Sequence, residues 1–418
     1  LDFTHQWADR NWYLGANLVM SEVHGSTKSI QQTQLSVPHL FQRPDARHSR
    51  LDTLRTFLHG TGGDVKIGKA GQGHLQFETG LTWRSPGLAL NDIGFMREAD
   101  LIQQYLGVTY RSINSFGAFR NARVGYKHWI NGDFGGNLNY IDWDVEVNAT
   151  LQNNWSGTFG FFNQPHIYAK SLLQGGPRLR LTDQYGVWWA ANSDSRQQLF
   201  VSYSGWTKTG GPGSYYLLSN SLEVVWQPLD RFNLSLSPTF TDIQHRLQYN
   251  ATVNFEGKPR YITSMLDQQT FGIPIRLNLV LNPNLAIQYY GEPFITTGRY
   301  DDFNFVKNPL MPFGPEQLAF FNSEQLSLYN GQYQVDEQVN GQTDYSFQNP
   351  DFSFAQFRSN LVLRFEYKPG SEIFLVWSQG LQDTQPVAEP WATGIRNQLL
   401  GNQPQNTFLI KVTHRFHR

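Results

Sequence analysis

Arg358-Ser-Asn-Leu-Val-Leu-Arg-Phe-Glu-Tyr-Lys-Pro-Gly370, continued by Ser371-Glu-Ile-Phe-Leu-Val-Trp-Ser-Gln-Gly380, is the stretch that decides the fold. Successive side chains of a strand point to opposite sides, so a period of two separates two faces. Phe357, Ser359, Leu361, Leu363, Phe365 and Tyr367 fall on one face. Arg358, Asn360, Val362, Arg364, Glu366 and Lys368 fall on the other. Pro369-Gly370-Ser371 is a tight turn, after which Ile373, Leu375 and Trp377 resume the apolar face. In a soluble sandwich that face packs on a core. In a membrane barrel it meets lipid, while the charged face lines a wet lumen.

Composition favours the second reading. Only 16% of the 418 residues are charged, against roughly 25% in an average soluble domain. Aromatics reach 15%, yet the mean hydropathy is −0.46. Few charges, many rings and a polar balance fit a lipid-facing wall with a polar lumen and polar loops. A net charge of −1 argues against a nucleic-acid partner. The absence of cysteine excludes a disulfide framework, thiolate metal ligands and a cysteine nucleophile. No apolar run approaches the roughly 18 residues of a membrane helix, so a membrane crossing here requires a barrel.

The same alternation recurs along the chain. Trp12 to Met20, Leu75 to Trp83, Val124 to Ile130, Ile141 to Val147, Leu199 to Tyr203, Ile273 to Leu281 and Phe408 to Phe416 all read as strands. About eight tight turns interleave with about eight longer loops, which gives roughly seventeen strands. Pro274 has no N–H for the ladder, so irregular pairing is expected there. The segments from His24 to Arg50 and from Gly298 to Ser353 show no clear alternation. Leu1, Phe3, His5 and Trp7 alternate already. A strand count that is odd, in a class of barrels that is usually even, leads to the expectation of further strands and an export signal upstream.

Several stretches resemble a known family: Phe41-Gln-Arg-Pro-Asp-Ala-Arg-His48, Arg84-Ser-Pro-Gly87 with Asn91-Asp-Ile-Gly-Phe-Met-Arg-Glu-Ala-Asp100, Gly298-Arg-Tyr-Asp-Asp-Phe303, Phe357 to Tyr367 with Trp377-Ser-Gln-Gly380, and Asn406 to Lys411. They look like the carboxy-terminal barrel of a bacterial outer-membrane family catalogued as a domain of unknown function. The resemblance covers nearly the whole chain. It implies a barrel that usually follows a carbohydrate-binding module resembling family 9, and so a link to saccharides.

The candidate residues each have a structural alternative. Asp142, Asp144 and Glu146 are carboxylates at strand spacing: a cation site, or a lumen wall paired with Arg123 and Lys127. Residues two apart on a strand lie too far apart to close a compact site alone, which favours the wall. Arg364, Glu366, Lys368, Lys411 and Arg415 tune solute passage or form a solvated ion-pair ladder. Asp92, Arg97, Glu98 and Asp100 sit in the Arg84–Asp100 segment, either a ligand loop or an inward brace of the barrel mouth. His24, His39, His48 and His59 lack metal spacing and read as solvated. Glu292 with Asp301 and Asp302 is a weak glycosidase-like set. Trp83, Trp143, Trp155, Trp226, Tyr289, Tyr367 and Trp377 read as interface girdles rather than sugar platforms.

The expectation is therefore an all-β chain in which residues 1–418 form one large antiparallel transmembrane barrel of a bacterial outer membrane. It is not an enzyme and has neither cofactor nor metal. Its partners are lipid, a saccharide or other solute passing or docking, and other proteins through the long loops. The alternative is a non-catalytic anchor barrel for a multiprotein outer-membrane complex.

Overall fold

The computed structural model describes residues 1–92, 94–211 and 213–416; Ile93 of the loop motif and Pro212 of the Gly210–Gly213 turn lie outside them. In chain order the strands are β1 (Asp2–Trp7), β2 (Trp12–His24), β3 (Phe57–Lys69), β4 (Leu75–Arg84), β5 (Leu101–Arg111), β6 (Phe119–Gly132), β7 (Leu138–Leu151), β8 (Ser156–Ala169), the two-residue β9 (Leu179–Arg180), β10 (Gln184–Asn192), β11 (Leu199–Gly210) and β12 (Tyr215–Leu229). There follow β13 (Phe232–Leu236), β14 (Thr239–Phe255), β15 (Lys258–Gly272), β16 (Ile275–Asn282), β17 (Leu285–Val306), the short β18 (Leu318–Phe320), β19 (Leu326–Tyr329), β20 (Gln332–Val335) and β21 (Tyr345–Gln348), and finally β22 (Phe352–Lys368), β23 (Ser371–Gln385) and β24 (Gln405–Thr413). The helices are α1 (Thr27–Leu35) and α2 (Trp391–Gly394), the latter running into a π turn at Ile395–Leu400.

The large sheet is an antiparallel meander in which each wall strand pairs with the next. β13 with β14, and β15 with β16, are single wall strands interrupted at Ser237-Pro238 and Ile273-Pro274. The interruptions follow from the missing proline donors. The proline carbonyls still accept: Leu222 N–H donates to Pro238 O at 3.0 Å, Ser237 N–H to Pro274 O at 3.0 Å, and Ile273 N–H to Pro293 O at 3.1 Å. Pro238, Pro274 and Pro293 thus lie on three neighbouring strands linked by these bonds, and the irregularity expected at Pro274 is the break between β15 and β16. Counted this way the described residues form seventeen wall strands. β1 pairs only with β2 and β24 only with β23 among the described residues.

The opening hairpin forms as its alternation requires. Leu361 pairs with Trp377, Leu363 with Leu375 and Phe365 with Ile373 on one face. A bulge between Glu366 and Lys368 precedes the turn, where Gly370 takes φ +75°. The apolar face carries no second layer over most of the wall: Met20 is 74% exposed, Ile410 70% and Phe159 57%. A belt of such side chains on strand after strand far exceeds the few hundred Å² of apolar patch that a soluble monomer exposes. The chain therefore forms the wall of a transmembrane β-barrel, with this face toward lipid. No helix among the described residues is long and apolar enough to cross a membrane. At the turn end, rings gather as a girdle: Trp7 with Trp12 (6.3 Å between centroids), Trp12 with Phe77 (5.4 Å) and Trp226 with Phe232 (5.4 Å).

The opposite end departs from the sequence reading in three respects. Its connections are not uniformly long: Asp133–Asn137, 211–214 and Glu256-Gly257 are short. The His24–Arg50 segment contains α1, capped by Ser26, whose Oγ accepts from Ser29 N–H at 3.2 Å. The Gly298–Ser353 segment begins with the end of β17, from Gly298 to Val306, then forms a separate three-stranded sheet of β19, β20 and β21. That sheet packs Val335, Tyr345 and Phe347 on Ile262 and Phe303 of the overlong β15 and β17. After β23, α2 and its π turn lie on the lipid-side face of the wall. They bury Ile295 and Ala355 completely and set Trp391 4.6 Å from the Phe271 ring.

Candidate functional site on the polar face and mouth

The polar face is where the wall carries chemistry. On β7, Asp142, Asp144 and Glu146 point to this face together with Lys127 and Arg123 of β6. Register opposes Lys127 to Asp144 and Arg123 to Asn148. Lys127 Nζ lies 3.6 Å from Glu146 Oε1. Arg123 makes no ion pair among the described residues, so the wall reading holds for Lys127 and fails for Arg123. Asp142 accepts from Tyr140 Oη at 3.0 Å and from Gln164 Nε2 at 3.4 Å. The row does not close around a cation: no group of three acidic or histidine side chains among the described residues is disposed to hold a metal.

The second charged group is dispersed. Arg364 does not pair within the set expected of it; its guanidinium meets Glu372, a residue the sequence reading passed over. Glu366 instead accepts from Gly370 N–H at 2.8 Å and fastens the turn. Lys411 Nζ lies 5.8 Å above the Phe374 ring. Lys368 and Arg415 join no ion pair among the described residues. The ladder is thus one ion pair, one turn cap and one cation–π contact.

At the mouth, the Arg84–Asp100 segment folds inward over the polar face of β3. The approach is so close that a Cβ at Gly60 would lie 2.1 Å from Leu88 N, and one at Gly87 2.1 Å from His59 O. Only glycine permits it. Asp100, nearly buried and at φ +54°, ties several loops together. His48 Nε2 is 2.9 Å from both its oxygens, and Phe134 N–H donates to Oδ1 at 3.0 Å. Lys170 Nζ donates to Asp100 O at 2.6 Å and pairs with Glu98 at 2.7 Å. The inward brace is therefore the arrangement found for Glu98 and Asp100. Arg97 rests by the Phe95 ring at 6.0 Å, and Asp92 is exposed. Nearby, burial alone raises the Asp133 carboxyl, but hydrogen bonds from Asn137 and Asn139 outweigh it and hold the group below the usual carboxylate range.

Two expectations about histidine and acid groups are corrected. His39 is buried in this mouth structure rather than solvated, while His48 stays exposed and is tied to Asp100. Burial draws the His39 imidazole below its ordinary value, against the opposing bond to Leu88 O at 2.9 Å. His24 meets Glu22 at 2.8 Å on the surface, and His59 stacks on Phe57. Glu292 and Asp301 stand nine residues apart along β17, about 30 Å at strand rise, so no glycosidase-like set forms with Glu292. Asp301 and Asp302 serve ion pairs to Arg299 and Arg246.

One feature escaped the sequence reading altogether. Tyr13, Gly68, Glu78, Gly107 and Lys127 lie in one cross-strand row of the polar face, with Gly80, Tyr105 and Trp129 in the next. Tyr13 and Tyr105 lie flat over Gly68 and Gly80, where an added Cβ would stand 2.6 Å from Tyr13 Oη and 2.7 Å from Tyr105 Cε1. Both hydroxyls reach Glu78: Tyr105 Oη donates to Oε1 at 2.8 Å and Tyr13 Oη donates to Oε2. They edge a cavity of about 430 Å³ that Lys127, Trp129 and Gln76 also line. The available signal was glycine beside an aromatic at paired strand positions, which only the register reveals.

Residues 41–416 match the family described as Domain of unknown function (DUF5916), and the chain belongs to that family. No curated protein matches. Among solved structures, the chain is similar to the siderophore receptor PirA from Acinetobacter baumannii, with 9% sequence identity and a TM-score of 0.41 over 98% of this chain and 69% of the receptor.

Proposed function

We propose that this DUF5916 barrel sits in the outer membrane of a Gram-negative bacterium and docks or passes a polar solute, a saccharide foremost, along its polar face. The observation that carries the reading is the cavity of about 430 Å³ opening on that face, edged by Tyr13, Glu78, Tyr105, Lys127 and Trp129. Pockets of this size, with a few converging polar groups among apolar walls, are the usual form of a small-molecule site. The reading assigns no catalysis, and it includes delivery of the solute by a carbohydrate-binding module resembling family 9. The second reading is an anchor barrel whose loops contact other proteins. The inward lock of Asp100 with His48 and Lys170 favours it, because it braces the mouth.

Planar-bilayer recording of the full-length protein separates the two. Current steps that oligosaccharide reduces support solute passage. A barrel that inserts but stays silent, with and without saccharide, supports the anchor.

A further inference from the structure

The cavity on the polar face is built asymmetrically, and its asymmetry specifies a ligand class. Each tyrosine hydroxyl has one hydrogen, and both are spent on Glu78. What faces the cavity is therefore acceptor-rich: two phenolic oxygens and the remaining lone pairs of the carboxylate. Gln76 spends one of its two amide hydrogens on Ala70 O at 2.7 Å, which leaves its carbonyl oxygen as a further acceptor and one N–H as a neutral donor. Lys127 is the charged donor beside Gly107, with Glu146 as a loose partner at 3.6 Å, and Lys69 is a second cation on the cavity lining. Trp129 adds an aromatic wall one row away. An anionic ligand would face Glu78 with no hydrogen to donate. A permanent cation would face Lys127. A ring bearing several hydroxyls donates to the acceptors, accepts from Lys127 and lays its C–H face on an indole.

We propose that the Tyr13–Glu78–Tyr105 cleft is a subsite for one uncharged, polyhydroxylated ring packed against Trp129. The floor of the cleft is Gly107. An added Cβ there meets only Lys127 Cγ, at 3.8 Å, which is ordinary contact. Gly107 is thus not required by the wall, in contrast to Gly68 and Gly80, and its bareness keeps the cleft open. The proposal deepens the solute-docking reading and takes its biological meaning from it.

The test is calorimetric titration of full-length protein in detergent with xylose, mannose, methyl glucoside and N-acetylglucosamine, alongside choline and gluconate as cationic and anionic controls. At least one sugar is expected to bind with Kd of about 10 mM or tighter, and neither control to bind. Glu78→Gln and Trp129→Ala are expected to weaken that sugar at least tenfold. Gly107→Val, whose Cβ would meet only Lys127 Cγ at 3.8 Å, is expected to fill the cleft and abolish binding while leaving the folded fraction unchanged. The proposal is overturned if no sugar binds, if choline or gluconate binds more tightly than every sugar, or if Gly107→Val binds as well as the parent. Conductance is independent of this outcome. A barrel that conducts without binding sugar loses the subsite alone, and one that binds sugar without conducting loses the passage reading alone.

Discussion

At the scale of single residues, glycine placement on the polar face separates positions the wall needs from positions a ligand needs. An added methyl at Gly68 would stand 2.6 Å from Tyr13 Oη and 2.8 Å from the Phe77 carbonyl oxygen, one a side chain and the other backbone. Gly68→Ala is therefore expected to displace Tyr13 from Glu78 and to cost about 1–3 kcal/mol. Gly107→Ala is expected to stay within about 0.5 kcal/mol of the parent. Urea unfolding in lipid vesicles measures both, and equal midpoints would refute the distinction. His39 gives a second residue-scale expectation. It is buried, its Nε2 contacts Leu88 O, and burial holds its folded-state pKa below the ordinary histidine value. Below about pH 6.5 the unfolded imidazole takes a proton that the folded one resists, so folding of the mouth weakens as pH falls through that value. Hydrogen exchange of residues 33–43 and 85–100, corrected for intrinsic pH dependence, is expected to quicken from pH 7.5 to 5.5. His39→Gln is expected to flatten the change.

At the scale of elements, alternation is what the physics of a strand writes into sequence, and it was legible here. The β22–β23 hairpin has the faces that Leu361, Leu363 and Phe365 announce, and the count of seventeen wall strands follows from the same period. A charge on the two faces should then have opposite consequences. Leu363→Arg, toward acyl chains, is expected to lower stability by about 2–4 kcal/mol, and Val362→Arg, toward water, to be tolerated; similar losses from both would contradict the facing. What alternation cannot encode is layering over the wall. The β19–β21 sheet, α1, and the α2 segment on the lipid-side face depend on contacts distant in sequence, such as Gly394 against Ile295, where an added Cβ would lie 2.3 Å from Cδ1. Gly394→Val is expected to lift α2 and its π turn. The readout is new proteolytic cleavage between residues 386 and 404, with the barrel itself remaining protease-resistant. The candidate site divides the same way. The charges on β6 and β7 were visible as strand-spaced residues, while Glu78 stood unmarked among Gln76, Thr79 and Thr82 until register placed two tyrosines over it.

At the scale of the whole molecule, the direction of the first and last strands constrains how the wall closes. β1 runs toward the short turn at Ala8–Asn11, and β24, arriving from the loop end after β23, runs toward the same turn end. The two are parallel to each other, as the two ends of any odd meander must be. Each also leaves one row of backbone N–H and C=O groups without a partner among the described residues. In hydrocarbon such groups cost several kcal/mol apiece, so these edges are not left open in a membrane. Closure takes one of two forms: direct parallel pairing of β1 with β24, or an odd number of further strands that restores antiparallel pairing throughout. Parallel ladders are the less stable per residue. A series of cysteine pairs stepping along β1 and β24, Thr4 with Leu409 among them, in the cell-produced protein oxidised in native membranes, decides between them. A disulfide between β1 and β24 is expected of direct pairing alone, because even one intervening strand holds neighbours about 10 Å apart, beyond the reach of a bridge. Efficient cross-linking would show that the two edges pair directly, and its absence at every pairing would refute direct pairing.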